Sequence, residues 1–220
     1  MVALELINNS IPQLQLEDTV GRALQLISDF KTSHLPVVSE NAYLGIISEE
    51  DLMDVSNKNV SIGTLQRDFI PVSIQENDHF LHAANLLNQF QTDIIPVINV
   101  EKNLVGIITA QSLLRVLGQF AGSEETGGLV VLEMERYQFA ISEISRIVES
   151  NEATIMHLNT TVQSESGLLR VTIHVNKKEI AVIVAAFERY EYNVVYYFGE
   201  ERFENEIQSN YRHLMNYLDI

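Results

Sequence analysis

A block of roughly sixty residues occurs twice in the front half of this chain, and a duplication of that size leaves few folds open. Asp18 and Asp78 stand 60 positions apart, as do Ala23 and Ala83, Leu26 and Leu86, Phe30 and Phe90, Pro36 and Pro96, and Val37 and Val97. The spacing then becomes 61 for Gly45 and Gly106, Ile46 and Ile107, Ile47 and Ile108, and Leu52 and Leu113. Ser48 and Thr109 align as hydroxyl residues in the same register. One residue inserted between the proline and the glycine, in a turn-like stretch (Ser39–Ala42 against Val100–Asn103), accounts for the shift.

Each copy predicts the same elements. An Asp opens a helix whose apolar positions, Val20, Leu24 and Ile27 in the first copy, recur at helical spacing. A short apolar strand follows, Leu35–Val38 and then Ile94–Val97. The proline inside it suits an edge strand or a strand start, because proline donates nothing to a ladder. A second strand, Tyr43–Ile47 or Leu104–Ile108, ends at Ser48 or Thr109, residue types that cap a second helix. The outline is β-α-β-β-α.

The texture changes at Gly118–Gly128, a Gly-, Ser- and Glu-rich stretch that reads as a boundary. Leu129–Met134 reads as a strand, Phe139–Glu149 as a helix, and Thr154–Gln163 with Leu168–Val175 as a hairpin. Glu179–Glu188 reads as a helix and Asn193–Phe198 as a last strand, giving the β-α-β-β-α-β order of the ferredoxin-like motif. Phe203, Ile207, Tyr211, Leu214, Met215 and Leu218 then mark an apolar helical stripe, after an acidic first turn of Glu200, Glu201 and Glu204. The expected domains are 1–59 and 60–118 for the repeats, a linker at 119–127, a βαββαβ domain at 128–199 and a terminal amphipathic helix at 200–220.

Composition removes whole classes of function. The chain has no cysteine, which excludes disulfides, thiol catalysis and thiolate-bound zinc. The net charge is −16, shared evenly, with six Lys/Arg against fourteen Asp/Glu in residues 1–118 and eight against sixteen in the rest. Such a surface repels nucleic acid and anionic membranes. No apolar run approaches the ~18 residues of a membrane span and no secretory signal is visible, so the expected location is the cytoplasm. No P-loop, GxSxG, HExxH or GxGxxG pattern is present, so no enzyme activity is expected.

The segments His34–Val38 with Leu44–Leu52, and Ile94–Ile98 with Leu104–Leu114, resemble tandem cystathionine-β-synthase (CBS) domains, the pair called a Bateman module. Residues 128–199 look like an ACT domain, by topology and length, and the combination resembles the acetoin-utilisation accessory protein family. The implied fold is a mixed α/β tandem CBS pair, followed by a ferredoxin-like βαββαβ ACT-type domain and a C-terminal helix. The resemblance implies an adenine nucleotide effector (AMP, ADP, ATP or S-adenosylmethionine) in the cleft between the repeats. The first copy then supplies Ser48 for phosphate and Asp51 for ribose, with His34, Leu35 and Pro36 lining the base. The second supplies Thr109, with Ile94, Ile95 and Pro96 along its strand, but Ser112 stands where the ribose Asp is expected. Glu49 and Glu50 add charge unfavourable to phosphate at the first copy, and neither motif holds an Arg or Lys.

Ser48 and Asp51 equally form a helix capping box, which needs no ligand, so the two readings compete for Asp51. In the ACT-like half, the first strand–helix loop carries Glu135, Arg136 and Tyr137 but no glycine; Arg136 can meet a carboxylate or stand as a surface residue. His79 and His82 lie at helical spacing beside Asp78 with no further ligand nearby, so no metal site is assigned. The expected function is a non-catalytic regulatory protein, requiring no cofactor, that senses a small effector and acts as a homodimer. The alternative is a ligand-free interaction module that dimerises and binds another protein.

Overall fold

The computed structural model describes residues 1–200. The apolar stripe expected within 200–220 lies, from Glu201 on, outside the described residues. The chain divides into a unit of Met1–Leu117 and a second beginning at Gly118.

In the first unit the two copies build matching three-stranded sheets. Strands β1 (Leu14–Gln15), β2 (His34–Ser39) and β3 (Ala42–Ser48) lie in that order, with helices α1 (Val20–Phe30) and α2 (Glu49–Asp54). Strands β4 (Ile74–Gln75), β5 (Ile94–Ile98) and β6 (Leu104–Thr109) repeat it, with α3 (Phe80–Phe90) and α4 (Ala110–Phe120). The apolar stripe of α1 buries Val20, Ala23 and Ile27 against Leu35, Val37 and Ile47 of its sheet. Phe80 and Ala83 of α3 join Ile95, Val97 and Ile108 in the same way.

Two local expectations are corrected. Pro36 and Pro96 sit in the central strands of their sheets, but β1 and β4 are only two residues long and do not reach alongside them. Each short strand pairs only with the two residues after the proline (Val37 and Val38, Val97 and Ile98), so the missing N–H interrupts no ladder there. The repeated aspartates do not cap the helices either. Asp18 accepts the Gln15 N–H at 2.8 Å and Asp78 the Gln75 N–H at 3.2 Å, closing the turn before each helix. Thr19 and His79 hold the N-cap positions.

The incoming segments cross between copies. Asn8, ahead of β1, donates its N–H to Ile107 O in β6 at 2.7 Å. Ile70, ahead of β4, exchanges two 2.9 Å hydrogen bonds with Ile46 in β3. Both crossings need a glycine: a Cβ on Gly45 would lie 2.9 Å from Phe69 Cβ, and one on Gly106 2.9 Å from Ile7 Cβ. The repeated glycines thus mark where one copy's backbone lies on the other's sheet.

The second unit contains β7 (Gly128–Met134), α5 (Ile141–Ser150), β8 (Ile155–Val162), β9 (Leu169–Val175), α6 (Ala181–Arg189) and β10 (Asn193–Phe198). The sheet is antiparallel in the order β10-β7-β9-β8, the ferredoxin-like arrangement. Alternate residues Val130, Leu132, Met134, Val171, Ile173 and Val175 meet Ile144, Ile147, Val148, Ile183 and Phe187 of the helices in one core. The stretch read as a linker is structured at its start. Helix α4 continues to Phe120, and the turn after it closes with Gly122 N–H on Gln119 O at 3.0 Å and Ser123 N–H on Gly118 O at 2.9 Å.

Candidate functional site

The two hydroxyl motifs occupy matching places at the ends of β3 and β6. His34 is the cross-strand partner of Ser48, and Ile94 that of Thr109. Ser48 caps α2 by accepting the Asp51 N–H at 3.1 Å, and its hydroxyl donates to Asp51 Oδ2 at 2.5 Å. Thr109 and Ser112 form a reciprocal box: Ser112 N–H donates to Thr109 Oγ1, and Thr109 N–H to Ser112 Oγ, each at 3.1 Å. The capping geometry is therefore present in both copies. All four residues stay half-buried at the rim, whereas Leu35, Pro36, Ile94, Ile95 and Pro96 are buried with the strands. Thr109→Ala removes the oxygen that accepts the Ser112 N–H, and is expected to lower the unfolding free energy by about 1 kcal/mol in urea titration. A loss near zero would show that the box does not hold the start of α4.

A polar cluster joins the copies at the turns before β2 and β5. The Asp93 carboxylate accepts the Thr32 hydroxyl and the Ser33 N–H, each at 2.7 Å, and lies 2.9 Å from His34 Nδ1. His34 is buried, so the residue expected to line a base pocket is held by Asp93 and by Ser33 Oγ at 2.9 Å. Burial alone would raise the Asp93 pKa, but the hydrogen bonds from His34, the Ser33 amide, Thr32 and the Ser33 hydroxyl outweigh it and hold the carboxyl below its ordinary range. Asp93 has no counterpart in the first copy, where Ser33 stands at the matching position.

A cavity of about 280 Å³ opens elsewhere in the same unit, lined by Asn9, Ile11, Pro12, Gln13 and Leu104–Ile107. Its walls are the first crossing segment and the strand that ends at Thr109. No lining side chain is ionisable; apart from the carboxamides of Asn9 and Gln13 the lining side chains are apolar. None of the residues expected from the motifs lines it. The signal for it in the sequence was the doublet Ile11-Pro12, matched by Ile70-Pro71 at a spacing of 59 rather than 60.

The other candidates are dispersed. Glu135, Arg136 and Tyr137 are exposed, with Arg136 and Tyr137 in a single tight turn. His79 caps α3, and His82 faces Asp78 at 3.5 Å. Among the described residues no three His, Asp or Glu side chains gather as a metal site, and no helix is long and apolar enough to cross a membrane.

Comparison with known proteins places these features. The chain is 26% identical over 112 residues to inosine-5'-monophosphate dehydrogenase of Methanocaldococcus jannaschii, a match covering 50% of this chain and 22% of that protein. It is 26% identical over 125 residues to homoserine O-acetyltransferase of Methanocorpusculum labreanum, covering 51% and 23%. The match thus spans less than a quarter of the length of either relative. The crystal structure of a CBS domain pair/ACT domain protein from Thermotoga maritima superposes with a TM-score of 0.50 at 22% identity, over 55% of this chain and 98% of that one, a likeness of fold. The family model for the CBS domain matches residues 2–58 and again 67–119, together half of the chain. Two matches in tandem, on two copies of one βαββα unit that exchange their incoming segments, make this chain a member of the CBS-domain family with a tandem CBS pair.

Proposed function

We propose that the CBS pair is a non-catalytic sensor that takes an adenine nucleotide into the cavity between residues 9–13 and β6. The observation that carries this reading is that cavity: both copies build it, and one wall leads directly to the Thr109–Ser112 rim. Its uncharged floor with Asn9 and Gln13 suits a flat heteroaromatic ring, whose edge can exchange hydrogen bonds with carboxamides. The second unit, a ferredoxin-like fold, is read as an ACT-type domain, and the order of the two units as that of acetoin-utilisation accessory proteins. Its outer strands β8 and β10 offer edges for a homodimer.

Electrostatics supplies a sharp expectation. Residues 1–118 carry a net charge of −8, and no cation lines the cavity. Each added phosphate therefore costs affinity, and the order is expected to be AMP, then ADP, then ATP. The differences should narrow as salt screens the repulsion, and affinity should rise with salt, whereas at a basic site it falls. Thermal unfolding tests both points. A nucleotide at ten times its dissociation constant stabilises by about 1.4 kcal/mol. Failure of AMP, ADP, ATP and S-adenosylmethionine alike to shift the transition would overturn the nucleotide reading.

A further inference from the structure

The two crossings are related by the repeat but are not equal. Strands β3 and β6 match position for position: Gly45 opposes Val37 as Gly106 opposes Val97, and after a bulge in each, Tyr43 opposes Val38 as Leu104 opposes Ile98. The incoming segments match at Phe69 and Ile7, which rest on those glycines. They match again at Ile74 and Leu14, which pair with Val97 and Val37. Between these points the first segment takes seven steps, Ile7 to Leu14, and the second five, Phe69 to Ile74.

The two additional residues and the smaller side chain fall on the same side. Over β6 the longer segment passes Leu104 and leaves the cavity of about 280 Å³. Over β3 the shorter segment meets Tyr43, whose ring packs with Val72 in the core and whose hydroxyl donates to Val72 O at 2.6 Å. Burial pushes the Tyr43 phenol pKa up, so the ring stays a neutral donor. Charge acts in the same direction. The start of α2 carries Glu49, Glu50 and Asp51, whereas α4 begins Ala110-Gln111-Ser112.

We infer that the CBS pair holds one ligand per chain, in the crevice over β6, because Tyr43 plugs the matching crevice over β3. This rests on the reading of the cavity as a nucleotide pocket. The cavity lies just below the ~300–1,000 Å³ range of ligand sites, so it takes the base and leaves the phosphates at the rim.

Isothermal titration of the full chain with AMP tests the stoichiometry. One molecule per chain is expected, with affinity at least tenfold weaker in Leu104→Tyr and unchanged in Tyr43→Phe, which keeps the ring in place. Two molecules per wild-type chain would overturn the inference, as would full affinity in Leu104→Tyr. Absence of heat with every nucleotide would instead refute the sensor reading, and the plug is then decided without ligand. Leu104→Tyr is expected to melt no lower than wild type, its ring entering the open crevice as Tyr43 fills the other. Melting about 3 °C or more below wild type overturns the inference.

Discussion

Phe187→Ala is expected to unfold the second unit at a temperature on the order of 15 °C below wild type, while the CBS pair melts unchanged. Phe187 is fully buried at the centre of the ferredoxin-like core, with its ring edge-on to Tyr192 at 5.8 Å. Removing a buried ring costs about 3–5 kcal/mol, the transfer energy plus the void left behind. Collapse around that void is limited, because Ile144, Ile147, Val171 and Ile173 are fixed by helix and sheet. None of these residues belongs to the cores of the CBS pair, which are built on residues 3–117. Calorimetry of the variant should therefore resolve two transitions, with only one displaced. A single transition that moves as a whole would show that the two cores fold as one.

Much of this architecture was legible because duplication and periodicity are written in side chains. The paired glycines, prolines and apolar triplets located both CBS copies, and alternation in β9 separated the faces of the second sheet. Positions set by pairing partners were not legible. Whether Pro36 lies at an edge depends on how far β1 extends beside it, and β1 is two residues long. Whether Asp18 caps a helix or closes a turn depends on which amide it reaches, and it reaches Gln15.

The candidate site divides along the same line. Ser48, Thr109 and Ser112 were visible as residue types at a helix start, and they stand there. The motifs did not reveal the cavity, since it comes from an unequal count in two crossings, whose one trace in the sequence is the odd spacing of the Ile-Pro doublet. The Tyr43 contact with Val72 spans 29 positions, and the Asp93 contacts with Ser33 and Thr32 span 60 and 61. A motif carries no record of a partner that distant.

Asp93 is where such a partner should be felt most strongly in the CBS pair. Asp93→Asn puts an amide where the carboxylate accepts from Ser33 N–H and Thr32 Oγ–H and faces His34 Nδ1. Thr32 has a second acceptor, the His34 carbonyl at 3.0 Å, so the Ser33 amide and His34 bear most of the loss. Hydrogen bonds to a charged group contribute about 1.5–3 kcal/mol, and the Asp93 side chain is 35% exposed, so screening brings the expected cost to about 2 kcal/mol. The pH dependence follows from the direction of the shift. A carboxyl held below its ordinary range in the folded state favours folding while ionised, so its contribution is whole above the unfolded value near ~3.9. As pH falls below that value the unfolded state takes up the proton first, and the contribution is lost towards the lower folded value. Urea titrations of wild type and Asp93→Asn should differ at pH 5 and converge as pH drops below about 4. A gap that persists undiminished to pH 3 would mean that the charge of Asp93 does not hold the two copies together.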